Sequence, residues 1–203
     1  VAHGIDQVRW CIHTAPCRPC LLGALQLRIR PCLKIKYRCV GAAGGKICCH
    51  HNLSFHSAHS VLRPLLDLAV IPTDGGPVMH MMRPASPLFG EIGEVYFSEV
   101  EPGCVKAWKC HTRQTQRFAV PVGQLKIILY DDRPESPTRG RIMEVLLGRP
   151  DNYALLQIPP RVWYGFTAAG SVPAVICNCP DIPHDPAEGL RKDFDSRDIP
   201  YHW

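Results

Sequence analysis

The stretch Gly103–Gly123, GCVKAWKCHTRQTQRFAVPVG, decides the reading of everything after about residue 67. It divides into strand, turn and strand. Side chains on a strand alternate with period two, so Val105, Ala107, Lys109 and His111 are predicted to share one face. Two polar groups, Lys109 and His111, then point the same way. Gln116 follows on the second strand, and a glycine closes each end.

The surrounding chain has the texture of a β protein. LAVIP, the turn cluster TDGGP and VMHMM read as a short strand, a turn and a second short strand. EVYFSEV is rich in β-formers, with Val95 and Phe97 on one side and Glu94, Tyr96 and Ser98 on the other. GQLKIILYDD ends where Pro134 and Pro137 force a turn. RIMEVLLG, RPDN and YALLQIPP repeat strand, turn and strand, VPAVICNC follows, and Pro180–Trp203 reads as a loop-rich acidic tail. Short strands at regular spacing, with Gly and Pro turns and no long amphipathic helix, predict an all-β sandwich or barrel over residues 68–203.

Charge and cysteine usage divide the 203 residues in two. Residues 1–66 carry nine Lys/Arg against one acidic residue, seven of the eleven Cys and six of the ten His. Residues 67–203 carry fourteen Lys/Arg against seventeen acids, so the formal charge of +5 comes from the N-terminal third. No apolar run is long enough for a membrane span, and none is expected.

Within residues 1–67 the CxxC of Cys17 and Cys20, followed by Cys32, Cys39, Cys48, Cys49, His50 and His51, invites a zinc reading. The irregular gaps and the missing second knuckle argue against it. The start VAHGIDQVRW lacks the layout of a secretory signal, which argues against a disulfide framework. A nucleic-acid-binding arm would want a denser cationic cluster, and an organelle-targeting extension would want fewer Cys. The expectation is a basic, Cys-rich extension over residues 1–67 that is either poorly structured or not native to the protein, with no nucleic-acid partner and a cytoplasmic location.

The spacing Gly103, Lys109, His111, Gln116, Gly123 resembles the first motif of the cupin superfamily, in which His-x-His and a Glu bind a metal. GEVYFS, VKAWKCH, LYDDRPESPT, LLQIPPRVWYGF, NCPDIPHDP and DIPYHW, in that order, resemble the RmlC-like cupins, the relatives of dTDP-4-dehydrorhamnose 3,5-epimerase. The resemblance implies a jelly roll, commonly a homodimer. It also implies proton removal and return next to the keto group of a nucleotide-activated 4-keto-6-deoxyhexose, and sister proteins move the keto group between neighbouring carbons.

Carried over residue by residue, the match departs at the chemistry. Lys109 stands where the epimerases have their catalytic His, at the end of Lys106-Ala107-Trp108-Lys109. His111 and Gln116 match a His and a Gln of the ketoisomerase-like relatives, and Tyr164 replaces the His of a His-Gly-Phe motif. The epimerases' catalytic Tyr has no counterpart in VICNC, although Asn178 falls near its place.

These substitutions leave His111, Lys109 and Tyr164 as the candidate catalytic residues. His111 titrates near neutrality, Lys109 would need burial to lower its pKa, and Tyr164 could hydrogen-bond a developing enolate. Each also has a plainer role: His111 as a packing residue, Lys109 as a partner of Glu144, and Tyr164 and Trp163 as aromatic core or rim. Lys106, Arg113, Arg117 and Arg161 are the cations available for a diphosphate. Together with Gln116, Trp163, Asn178 and Glu144, all but Arg117 make up the expected substrate-binding set. Of the residues at the cupin metal positions only His111 is a good ligand, so no metal and no other cofactor is expected. Two alternatives stay open: a cupin that binds a sugar nucleotide without turnover, and a metal-dependent cupin enzyme.

Overall fold

The computed structural model describes residues 65–203, preceded by two short strands, β1 (Cys39–Val40) and β2 (Lys46–Ile47). The readings of the N-terminal CxxC, the His pair and the basic arm fall outside the described residues. The remaining strands are β3 (Leu65–Asp67), β4 (Val70–Ile71), β5 (Val78–Met79), β6 (Tyr96–Val100), β7 (Val105–His111), β8 (Gln116–Val122), β9 (Gln124–Asp131), β10 (Arg141–Gly148), β11 (Ala154–Ile158), β12 (Trp163–Ala168), β13 (Ala174–Asn178) and β14 (Gly189–Arg191). No helix occurs among the described residues. The first of these strands, β3, pairs with β11 just ahead of the Leu68 boundary expected from the sequence.

Two antiparallel sheets face each other. One runs β14-β7-β12-β9-β10-β1-β2, the other β3-β11-β8-β13-β6, and β4 and β5 form a separate hairpin. Between the sheets lie Leu125, Ile127, Leu129, Val145, Leu147, Tyr164 and Phe166 from the first, and Val100, Phe118, Val120, Leu156, Ile158 and Ile176 from the second. Each fully buried Leu or Ile there contributes about 1.5–3 kcal/mol through removal of apolar surface from water. This is the jelly roll that the sequence resemblance implied.

The seven-stranded sheet is apolar on its outer face as well. Trp108, Cys110, Ile128, Ile142 and Trp163 form a second cluster there with Ile199, and Tyr201 and Trp203 pack against it. The acidic tail is therefore a strap across the back of the sheet. Gly123 makes the one-residue link from β8 to β9 at a φ of 69°, with Pro173 O only 2.8 Å from where a Cβ would stand. Both the left-handed conformation and the close approach require glycine. At the far end of β9, Asp131 is fully buried and accepts hydrogen bonds from Arg133, Ser136 and Thr138, which holds the turn into β10.

The alternation predicted for β7 holds over only part of the strand. Tyr164 of β12 lies opposite Lys109, but Phe166 lies opposite Lys106, so β7 carries one extra residue between these positions. Such a bulge turns the strand over locally. Lys109 and His111 face the interior, as expected. Val105 and Ala107 instead face outward, opposite Thr167 and beside Trp108 in the outer cluster, and Lys106 moves to the interior side opposite Phe166.

Candidate active site

The interior end of β7 meets β12 and the segment leading into β14, and three side chains converge there. His111 Nδ1 lies 2.5 Å from Glu188 Oε2, and His111 Nε2 lies 3.2 Å from the Tyr164 hydroxyl. His111, Glu188 and Tyr164 are 7%, 4% and 3% exposed. The His111 and Tyr164 rings lie 13° from parallel, and Phe118 meets the Tyr164 ring edge-on at 5.5 Å. Packing thus fixes both rings before any ligand arrives.

Glu188 is held from several sides. Its Oε1 accepts the backbone N–H groups of Arg113 and Gln114, the latter at 2.8 Å, and the Thr112 hydroxyl at 3.3 Å. Burial alone would raise its pKa. The two backbone donors and His111 outweigh burial and bring it down to about 2, so Glu188 is a carboxylate at neutral pH. A carboxylate only accepts, so the hydrogen of His111 sits on Nδ1. Burial lowers the His111 pKa and Glu188 offsets part of that effect, leaving the imidazole neutral with its lone pair on Nε2. Tyr164 faces that lone pair. Burial, reinforced by the nearby Tyr96 phenol, raises the Tyr164 pKa, so its O–H stays protonated and donates to Nε2. At 3.2 Å this is a long bond for a hydroxyl donor and yields readily to a better partner.

Lys109 stands on the same face as His111, and its ammonium makes no hydrogen bond among the described residues. Burial lowers its pKa, and Arg191, directly opposite it on β14, lowers it further. Like charges facing each other across a ladder are unfavourable unless an anion lies between or beside them. The interior face of the other sheet contributes an amide chain. Asn178 Nδ2 donates to Gln116 Oε1 at 2.5 Å and to the Tyr96 oxygen at 2.8 Å, and Gln116 Nε2 donates to Gln114 Oε1 at 2.5 Å. Gln114 connects onward to Glu188 through its backbone N–H.

Of the residues singled out in the sequence, His111, Lys109, Tyr164, Gln116 and Asn178 come together at this end of the interior. Glu144 and Trp163 do not. Strand alternation puts Trp163 on the outer face, where its indole N–H donates to Asp132 at 3.1 Å. Glu144 lies opposite Ile128 on that same outer face, beside Tyr201, whose pKa burial and Glu144 push up to about 12. The expected pairing of Lys109 with Glu144 fails for the same reason: the sheet stands between them, and the carboxylate that raises the Lys109 pKa is Glu188. A cavity of about 390 Å³ lined by Glu144, Lys126, Leu146 and Thr167 opens on this outer side and holds none of the triad.

The expected phosphate cations are dispersed. Lys106 bridges the sheets at their open edge through Ser98 Oγ at 3.0 Å and Glu99 O at 2.6 Å. Arg113 is exposed and pairs with Asp185. Arg161 is exposed in a left-handed conformation, φ 62°, with its N–H on His111 O at 2.6 Å. Arg117 is buried among Gln157 and the Glu91 carbonyl on the outer side of the five-stranded sheet. Among the described residues no three His, Cys, Asp or Glu side chains converge as a metal site would require. Sequence reasoning missed Glu188 and Arg191, since neither belongs to a periodic segment. The one available signal was the lone Glu188 before Gly189 in a tail otherwise acidic through aspartates.

No family model matches the chain. It is 57% identical to a dTDP sugar isomerase of Desulfovibrio desulfuricans, covering 88% of that structure and 68% of this chain, with a TM-score of 0.67. It is 37% identical over 107 residues to a probable low-salt glycan biosynthesis epimerase of Haloferax volcanii, a match that takes in 52% of this chain and 65% of that protein, just under two thirds of its length. A dTDP-4-dehydrorhamnose 3,5-epimerase of Bacillus anthracis, solved with TDP and PPi bound, shares the fold at 17% identity and a TM-score of 0.61, covering 68% of this chain and 83% of that one. The ordered motifs, the jelly roll and the extent of the Desulfovibrio match together establish that the chain belongs to the RmlC-like cupin family, that of dTDP-4-dehydrorhamnose 3,5-epimerase.

Proposed function

We propose that the protein is an epimerase or isomerase of a nucleotide-activated 4-keto-6-deoxyhexose, acting by proton abstraction next to the keto group. The observation that carries this is the buried Glu188–His111–Tyr164 chain, in which a neutral imidazole presents Nε2, held only by a long bond from the Tyr164 hydroxyl, to the interior. His111 Nε2 takes the proton from the carbon beside the carbonyl. Glu188 steadies the imidazolium that forms and fixes the ring orientation. The Tyr164 O–H, released from Nε2, turns to the enolate oxygen as negative charge gathers there. Lys109 and Arg191, paired across β7 and β14, supply the positive field for the diphosphate.

The relatives support the substrate class. One is named as a dTDP sugar isomerase, another as a glycan biosynthesis epimerase, and a Bacillus subtilis protein 29% identical over 132 residues is named for spore coat polysaccharide biosynthesis. The same reading carries a role in polysaccharide biosynthesis, a homodimeric assembly and a cytoplasmic location. The test is deuterium exchange at the carbons beside the keto group, followed by NMR in D2O with a panel of dTDP-, UDP- and GDP-linked 4-keto-6-deoxyhexoses. Enzyme-dependent exchange in one of them is expected. Tight binding with exchange at background throughout would instead assign a binding protein.

A further inference from the structure

We infer that Lys109 is a covalent catalyst: its amine condenses with the keto carbon of the sugar to form an iminium, and His111 Nε2 then takes the proton from the carbon beside it. This rests on the keto-sugar reading above and deepens it. Lys109 stands on the interior face of β7 two residues before His111, and strand alternation points both side chains the same way. The ladders fix its neighbours. Tyr164 of β12 lies directly opposite Lys109 on one side, and Arg191 of β14 lies directly opposite on the other. Side chains paired in this way have Cβ atoms about 4.5–5.5 Å apart, so the lysine stem rises between a phenol and a guanidinium. The same Tyr164 hydroxyl is 3.2 Å from His111 Nε2, which ties the lysine's neighbour to the base.

A half-buried lysine with a purely structural role calls for a carboxylate to hold its charge. Glu188 is the carboxylate that acts on Lys109, and its oxygens are already taken: Oε1 accepts the N–H groups of Arg113 and Gln114 and the Thr112 hydroxyl, and Oε2 faces His111 Nδ1. Among the described residues Lys109 forms no ion pair. Its partner across the ladder carries a like charge. Burial and Arg191 both work against the ammonium and lower its pKa, the two conditions that turn a lysine into a nucleophile toward carbonyl compounds. The gain falls to His111. A cationic iminium draws electrons from the neighbouring C–H bond more strongly than a neutral carbonyl does, so an imidazole whose pKa burial has lowered suffices as the base.

The condensation balances without a further reagent. The Lys109 ammonium passes one proton to His111 Nε2, and the nitrogen lone pair bonds to the keto carbon as the carbonyl π pair moves onto oxygen. That oxygen collects the proton held by His111 and a second from the nitrogen, and leaves as water. The Tyr164 O–H donates to it as charge gathers there, as it would to an enolate. His111 Nε2, free again, takes the proton of the neighbouring carbon; the C–H pair becomes the C=C bond of an enamine and the C=N pair returns to nitrogen. Reprotonation restores the iminium, and water releases the ketone. The positive charge of Lys109 thus stays on its nitrogen, now joined to the sugar, and Arg191 remains as the cation beside the diphosphate.

The test incubates the full chain with a dTDP-linked 4-keto-6-deoxyhexose and sodium cyanoborohydride at neutral pH, a reagent that reduces iminium ions and spares ketones. Intact mass spectrometry should show a single sugar nucleotide bonded to the chain, peptide mapping should place it on Lys109, and excess dTDP should suppress it. Lys109→Arg keeps the charge and removes the nucleophile. It should form no adduct and lose exchange of the proton beside the keto group in D2O by about 10²–10³, the scale for removing a group that stabilises charge in the transition state. Wild-type exchange with no adduct on Lys109, an adduct that survives in Lys109→Arg, or exchange by Lys109→Arg at the wild-type rate would each overturn the role of Lys109 while leaving the keto-sugar reading intact. Wild-type enzyme with no exchange on any nucleotide sugar would overturn both. Should Lys109→Arg fail to fold, the position of the wild-type adduct still decides.

Discussion

Replacing Glu188 by Gln tests the triad more sharply than removing His111, because it changes a proton's position and almost no volume. Glu188 Oε2 faces His111 Nδ1 at 2.5 Å, while Oε1 accepts the N–H groups of Arg113 and Gln114. A glutamine has one oxygen for these two places. If its oxygen stays with the two backbone donors, its NH2 faces Nδ1, the imidazole hydrogen moves to Nε2, and the base has lost its lone pair. The reverse orientation would set an NH2 against two buried N–H groups, each left unsatisfied at about 1–3 kcal/mol. The first orientation therefore wins. Holding a catalytic His in the wrong tautomer costs about 10⁴ in rate elsewhere, so exchange by Glu188→Gln should fall by about 10³–10⁴, roughly 4–5.5 kcal/mol of barrier. Exchange is read by NMR in D2O under saturating substrate, and dTDP binding by calorimetry should stay within about threefold, since no uniform binding contact has gone. A loss of less than about tenfold in exchange, with an unchanged melting temperature, would show that Glu188 does not set the tautomer.

Other outcomes follow from the same geometry. His111→Asn should cut exchange by about a hundredfold or more while leaving dTDP binding near wild type, as judged by calorimetry. The folded pKa values of His111, Glu188 and Asp131 all lie below their ordinary values, so each contributes stability that is present above its unfolded pKa and lost as pH falls through the folded one. Melting temperature should decline as pH drops below 6.5 and again below about 4.5, where Glu188 and then Asp131 come into play; a flat profile between pH 7 and 3 would contradict the assignment. Asp131→Asn breaks a buried, charge-assisted network and should cost about 3 kcal/mol, lowering the melting temperature by about 10 °C in differential scanning calorimetry. Gly165→Ala would place a methyl group 2.4 Å from the Ala107 Cβ and 2.7 Å from the Trp203 ring, and should cost about 1–3 kcal/mol by loosening the tail from the sheet, read by urea denaturation.

The sequence carries the strands because burial on one or both faces imposes a period, and EVYFSEV, GQLKIILYDD and RIMEVLLG show it. The same alternation put Lys109 and His111 together and set Tyr96 on a face with Ser98. It stops working where a residue is inserted: nothing in VKAWKCH announces that Ala107 and Trp108 lie on the same side, so strict alternation assigns Val105 and Ala107 to the face of Lys109 and His111. Trp163 and Glu144 show a different limit. An indole at the entrance of a motif and a carboxylate in a strand look like ligand contacts, but each is on the face covered by Tyr201 and Trp203, and the tail that covers them has no period to read. Glu188 was illegible for the same cause. Its role depends on two backbone N–H groups and a histidine more than seventy residues earlier, and no local pattern records that meeting.

The inserted residue in β7 divides one strand into two segments that are out of phase. Downstream, β14 and the Arg161 N–H clamp Lys109–His111, so that half cannot rotate. Upstream, Val105 and Lys106 pair with Thr167 and Phe166, and the Lys106 ammonium reaches Ser98 Oγ and Glu99 O on the other sheet. Deleting Ala107 would remove the inserted residue and restore strict alternation, with Trp108 outward, Lys106 inward and Val105 outward as before, so the upstream half need not turn and the triad stays seated. The insertion therefore widens what β7 lays on the outer face beneath the tail, while the inward row of Lys106, Lys109 and His111 is the same with or without it.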